Sequence, residues 1–291
     1  MENIYSKHFI TYGDSGYNIQ KKRLAYEAKA MKIFSSINVY SNNSLSDNFK
    51  EDFDAVLSQK KGGGYWMWKS YIILDMLNKT SPNDILFYLD AGSTLNIKGL
   101  KRMVEYFETL NKSNSSFLRF DNKQIEKYWT TKEVFDYFEI KINSEIGNSF
   151  QLAGGIMFVK NTKEAKDFFI EFQNTVRSDN KLLTDFYSLN QITNFQHSRH
   201  DQSIYSILGK KYNSIILSDE TYFEINSNTQ YEYPILVVRD RNYSSWQKFK
   251  FYSNYFNNLK KPIYFTNKPP YYKNISLYKK VKNKIIKYLG N

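Results

Sequence analysis

The sequence predicts an α/β fold, one large domain whose mostly parallel sheet is covered by helices on both faces. Three observations carry this. Strand-length apolar segments alternate along the chain with helix-length amphipathic ones, the pattern of strand–helix–strand units. The run Ile85 to Leu89 shows no polar alternation and so reads as a strand buried on both faces. Finally, 291 residues suffice for a substantial core. Surface scaling at this size gives roughly 13,000 Å² exposed when folded against roughly 50,000 Å² unfolded.

In chain order, His8 to Tyr12 is a short buried strand that stops at Gly13-Asp14-Ser15-Gly16, and a helix follows from Gln20 to Phe34. Ile37 to Tyr40 is a second strand, and Asn48 to Leu57 a helix with Phe53, Val56 and Leu57 on one side. Gly62-Gly63-Gly64 breaks the pattern before a buried helix, Trp66 to Leu77, in which Trp66 and Trp68 are core residues. After Ile85 to Leu89 the spacing of Leu100, Met103, Val104, Phe107 and Leu110 is helical, and Ser116 to Phe120 is strand-like. Thr131 caps a helix reaching Ile140, Gln151 to Val159 is a strand, and Thr162-Lys163-Glu164 opens a helix to Val176. A helix over His200 to Leu208 and strands at Ser214 to Leu217 and Ile235 to Val238 complete the domain, drawn over residues 1–240. Residues 241–291 form a C-terminal extension. Its last segment, Asn274 to Leu289, carries Leu277, Val281, Ile285 and Leu289 on one face among lysines. This basic amphipathic helix either rests on an anionic membrane surface or packs on the domain.

The chain has no cysteine, which excludes disulfides, Cys-ligated zinc, iron–sulfur clusters and thiol nucleophiles. Lys+Arg 41 against Asp+Glu 29 gives a formal charge of +12, a field that concentrates nucleic acid, anionic membranes and phosphorylated small molecules alike. No apolar window approaches the ~20 residues of a membrane span. The start Met1-Glu2-Asn3-Ile4 lacks a secretory pattern, so the expected location is the cytoplasm, peripheral at the inner face of a membrane if the terminal helix attaches there.

Phosphate-loop and dinucleotide glycine patterns are absent, Gly62-Gly63-Gly64 being too short for either. Sheets of this type bind ligands at the carboxyl ends of their strands, which puts Asp90 against a ligand. A carboxylate there accepts a ribose hydroxyl or helps hold a divalent cation beside a diphosphate; alternatively it caps the following turn. Paired glycines, Gly154 and Gly155, permit close backbone approach before Ile156 to Val159. His197, His200 and Asp201 cluster at a helix head, with three readings open: metal ligands, supports for an Asp201 and Gln202 that contact a sugar, or a capped helix with surface histidines.

Four segments in this order resemble nucleotide-sugar glycosyltransferases of the GT-A fold, which has a Rossmann-type sheet. They are Gly64-Tyr65-Trp66-Met67-Trp68-Lys69-Ser70-Tyr71-Ile72-Ile73, Asp84-Ile85-Leu86-Phe87-Tyr88-Leu89-Asp90-Ala91-Gly92, Ala153-Gly154-Gly155 and Arg199-His200-Asp201-Gln202-Ser203. The likeness is greatest to bacterial capsule and lipopolysaccharide enzymes and related proteins of large DNA viruses. It implies a UDP-sugar or other nucleotide-sugar donor, a glycan or glycolipid acceptor in surface polysaccharide synthesis, and no nucleic-acid partner. By the resemblance Thr11, Tyr12 and Gly13 hold the nucleobase, and Asp90, Ala91 and Gly92 stand where such enzymes carry an acid-x-acid motif for ribose and metal. Gly92 replaces the second acid, the usual Mn²⁺ or Mg²⁺ ligand, so any such ion would rest on Asp90 and His200. Lys69, with Lys22 and Arg23, would then supply charge to the diphosphate. Gly154 and Gly155 would line the donor sugar, Gln202 and Asp201 would contact its hydroxyls, and Asp201, opposite Asp90 across the cleft, is the expected catalytic base. Two other functions compete: a polyanion-binding or nucleic-acid-binding protein without catalysis, and a His/Asp metal hydrolase built on residues 197–201.

Overall fold

At the centre of the computed structural model, which describes residues 5–221 and 233–237, lies β3 (Ile85–Leu89), every residue of it buried. Beside it on one side are β1 (Lys7–Tyr12) and then β2 (Ser36–Tyr40), both parallel to it. On the other side β7 (Ile156–Lys160) is antiparallel, followed by β5 (Phe117–Ile125), which pairs with β8 (Ile215–Leu217) and β6 (Phe150–Leu152). Because β7 opposes both β3 and β5, the strands β1, β2, β3, β5 and β8 all run one way. The sheet is thus mostly parallel, as expected. The segment predicted as one strand, Gln151 to Val159, is two, because the chain turns at Ala153-Gly154-Gly155 between β6 and β7. Ile235 joins a separate pair, β4 (Thr94–Leu95) with β9 (Ile235–Leu236), rather than the main sheet.

Side chains alternate across a strand, and β3 serves two cores in this way. Ile85, Phe87 and Leu89 face one of them with Phe9, Phe158 and the apolar sides of α1 (Asn18–Met31) and α6 (Leu100–Lys112). Leu86 and Tyr88 face the other, with Ile10, Met157 and the buried sides of three helices. Following the short α2 (Asp47–Asp52), α3 (Asp54–Leu57) and α4 (Gly62–Tyr65), these are α5 (Trp68–Lys79) and, after α7 (Lys132–Tyr137) and α8 (Glu145–Asn148), α9 (Lys163–Ser178) and α10 (Asp201–Lys211). The helix predicted from Asn48 breaks at Phe53, whose φ of −116° separates α2 from α3.

Helix α5 begins at Trp68, two residues later than the periodicity suggests. The short element α4 is a single left-handed turn that runs on into Trp66, with φ between 49° and 93° at Gly62, Gly63, Gly64, Tyr65 and Trp66. Glycine adopts this freely, whereas a bulky L-residue does so only when its surroundings hold it. Trp66 is held because its indole lies over Gly62, where a Cβ would come within 2.5 Å of the ring.

No helix among the described residues is long and apolar enough to cross a membrane. The domain boundary at residue 240, the extension 241–291 and its basic amphipathic helix lie outside the described residues.

Candidate active site

Ile10 of β1 pairs with Tyr88 of β3 in parallel register, so the two strands end side by side with Tyr12 and Gly13 near the level of Asp90. Asp90 follows β3 directly, and 42% of its side chain is exposed. Two residues apart on a strand means the same face, and accordingly the Tyr88 hydroxyl donates to Asp90 Oδ1. Behind them the second residue of α5, Lys69, is 2% exposed; its Nζ donates to Asp201 Oδ2 at 2.5 Å and to the Gly154 carbonyl at 2.9 Å. The same Nζ is 3.8 Å from Asp90 Oδ1. Asp201, the first residue of α10, shows 7% of its side chain. Burial raises its carboxyl to about 6, Lys69 pulling the other way and Asp90 adding to the rise. Asp90, Lys69 and Asp201, from three distant parts of the sequence, therefore meet, with the lysine between the acids.

The glycine pair is shaped by these side chains. A Cβ on Gly155 would stand 2.7 Å from Asp90 Oδ2, and one on Gly154 would stand 2.8 Å from Gln202 Cβ. Gly155 also accepts the Asp90 backbone N–H at 2.9 Å, fixing the strand end. Gln202 accepts from the Gly154 N–H and donates to Gln151 Oε1 at 2.7 Å. Gln151 in turn donates to Glu126 Oε1 at 2.9 Å, and Glu126, fully buried, takes Lys210 at 2.6 Å together with the hydroxyls of Thr130 and Ser206. This carboxylate hub escapes the sequence analysis because its partners are scattered from residue 130 to 210.

At the end of β1, Tyr12 stacks on Trp68 with centroids 3.8 Å apart, and the Trp68 indole N–H donates to the Gly62 carbonyl. Gly13 is closed off by Tyr17 and by Lys21, whose ammonium donates to the Gly13 carbonyl. Two expectations need correction. Thr11 is buried and its hydroxyl is engaged by the Leu89 carbonyl, so it ties β1 to β3 rather than facing a nucleobase. Arg23, 3% exposed, pairs with Glu27 and donates to Thr94 and to the carbonyls of Ala91 and Ser93. It fixes the turn that carries Ala91 and Gly92 after Asp90 instead of reaching for a diphosphate.

His200 differs from its expected role as well. It has φ 55° directly before Asp201, its ring lies between Tyr65 and Trp66, and Nδ1–H donates to the Leu183 carbonyl at 3.0 Å. Burial, with Lys61 adding to it, lowers its pKa to about 4. His197 is exposed, edge-on to Trp129. Among the described residues no three His, Cys, Asp or Glu side chains converge as a metal set. A Mg²⁺ or Mn²⁺ cage wants several oxygens in octahedral array. Here Gly92 offers no side chain, one Asp90 oxygen receives Tyr88, and Asp201 turns to an ammonium. With the Lys69 ammonium seated among them, these residues do not fit a divalent cation.

No family model and no curated protein matches the sequence. Similar solved structures include a glycosyltransferase involved in glycosylation of the major capsid of the virus PBCV-1, with 12% identity over 85% of this chain and 99% of that one at a TM-score of 0.47. Mouse xyloside xylosyltransferase 1 is 12% identical over 91% of this chain and 95% of its own, TM-score 0.44. The bifunctional glycosyltransferase WbbM is 11% identical over 86% of this chain and 51% of its own, TM-score 0.48.

Proposed function

We propose that this protein is a glycosyltransferase that moves a sugar from a nucleotide-sugar donor, a UDP-sugar first among candidates, to a hydroxyl of a glycan or glycolipid. The observation that carries the proposal is the exposed Asp90 carboxylate at the carboxyl end of the central strand, backed by Lys69 and Asp201 and closely approached by the Gly155 backbone. Such a strand end is where a sheet of this kind receives a nucleotide. In the transfer, the acceptor oxygen bonds to the anomeric carbon while the bond to the diphosphate breaks, and the hydroxyl proton needs a base. Asp90, facing the cleft, is assigned to the donor. Asp201 is assigned to the proton, since a carboxyl raised to about 6 suits proton uptake near neutrality better than an ordinary one. An acceptor would reach it at its small exposed edge.

Calorimetric titration with a panel of nucleoside diphosphates and their sugar conjugates tests this. Asp90→Asn should weaken nucleotide binding, and Asp201→Ala should abolish transfer while binding persists. Absence of binding to any nucleotide, together with salt-dependent binding of nucleic acid, would overturn the proposal in favour of a polyanion-binding protein.

A further inference from the structure

We propose that the Lys69 ammonium is the resident cation of this site, seated where a divalent ion would otherwise stand, so that the nucleotide binds without added metal; the second half rests on the glycosyltransferase reading, the first does not. Asp201 Oδ2, the Gly154 carbonyl and Asp90 Oδ1 lie at 2.5, 2.9 and 3.8 Å from Nζ. Asp201 Oδ2 and the Gly154 carbonyl bond the ammonium directly, while Asp90 Oδ1, which also receives the Tyr88 hydroxyl, stands at ion-pair distance; these are oxygens that a cation draws together, and the occupant is an amine. Its remaining surroundings suit an amine better than a metal. The rings of Tyr88, Trp68 and Tyr205 have centroids 5.3, 5.9 and 5.9 Å from Nζ. Aromatic faces attract an ammonium, whereas Mg²⁺ keeps water molecules that such walls exclude. A divalent ion taken by Asp90 Oδ1 would stand within about 6 Å of this ammonium, where the two charges repel. The Gly92 position fits the same account: with the charge supplied from α5, the turn after β3 needs no second acid.

Mn²⁺ titration followed by electron paramagnetic resonance tests the first half on the protein without nucleotide. The wild type should leave the free Mn²⁺ signal unchanged, and Lys69→Met, in which Asp201 and Asp90 lose their counter-charge, should deplete that signal; an unchanged signal from folded Lys69→Met would overturn the claim that the ammonium holds a cation's place. Uridine diphosphate titrated into the wild type should give the same affinity in EDTA and in Mn²⁺. Tight Mn²⁺ binding by the unliganded wild type, or uridine diphosphate binding that disappears in EDTA and returns with Mn²⁺, would overturn the inference. Should uridine diphosphate bind under neither condition, the glycosyltransferase reading suffers, while the Mn²⁺ titration still decides what occupies the cation position. If Lys69→Met does not fold, the wild-type titration decides alone.

Discussion

Replacing His200 by Asn removes a buried neutral imidazole whose cost grows with acidity. The ring is enclosed by Tyr65 and Trp66, and Nδ1–H must donate because its partner is the Leu183 carbonyl. Burial is the larger cause of the lowered pKa and Lys61 the next, with Asp185 opposing both. The native protein therefore takes up this proton at lower pH than the unfolded chain does. Acid consequently favours unfolding: the contribution of His200 is intact above its unfolded pKa and is lost as pH falls toward the native one. With pKa values of 6.5 unfolded and about 4 native, linkage gives a loss of about 2 kcal/mol between pH 7 and pH 5, and about 3 kcal/mol by pH 4. His200 sits at φ 55° and ψ −121°, outside the left-handed well, so Asn bears the same backbone strain at every pH; its amide N–H can replace the bond to Leu183, yet it does not titrate. Urea unfolding of both proteins at pH 7 and pH 5 should therefore show the wild type losing about 2 kcal/mol more than His200→Asn. Parallel pH profiles would refute the enclosed-imidazole argument.

Three further substitutions separate support from contact. Arg23→Met leaves Glu27 buried without its guanidinium and should cost about 3–5 kcal/mol in unfolding experiments, the affinity for uridine diphosphate staying unchanged; weakened binding at undiminished stability would return Arg23 to the ligand. Gly155→Ala places a Cβ 2.7 Å from Asp90 Oδ2 without backbone strain. Its melting temperature should remain near wild type while calorimetry shows weaker nucleotide binding, and full affinity would mean that Asp90 swings clear. Glu126→Gln strands Lys210 in a buried setting and should destabilise by about 3 kcal/mol in denaturant titrations. A neutral result would show that the hub tolerates loss of its charge.

The parts of the fold and site that are legible in the sequence are those set by local pattern. β3 announces itself because five consecutive apolar residues can be buried on both faces, and Asp90 because it ends that run. Tyr88 was equally accessible: the two-residue period of a strand puts its hydroxyl beside Asp90, although an aromatic inside an apolar run passes as core. The turn at 62–66 is half legible, for three glycines signal positive φ, but nothing local requires Tyr65 and Trp66 to follow them; what holds those two includes His200, far along the chain.

Charge is where local pattern carries least, since a sequence shows a basic residue but not its partner. Arg23 resembles a diphosphate ligand until Glu27, Thr94 and two carbonyls enclose it, and only Glu27, four residues on along the same helix, could be foreseen. Lys69 is the stronger case. Its counter-ion is 132 residues away, and only the meeting of α5 with the head of α10 reveals that the lysine neutralises protein carboxylates before any ligand arrives. The formal charge of +12 is therefore a poor guide to the field at the site. Asp90, Asp201 and Lys69 together sum to one negative charge when all are ionised, so this point of the site is acidic within a basic chain, and without Lys69 it would carry two negative charges.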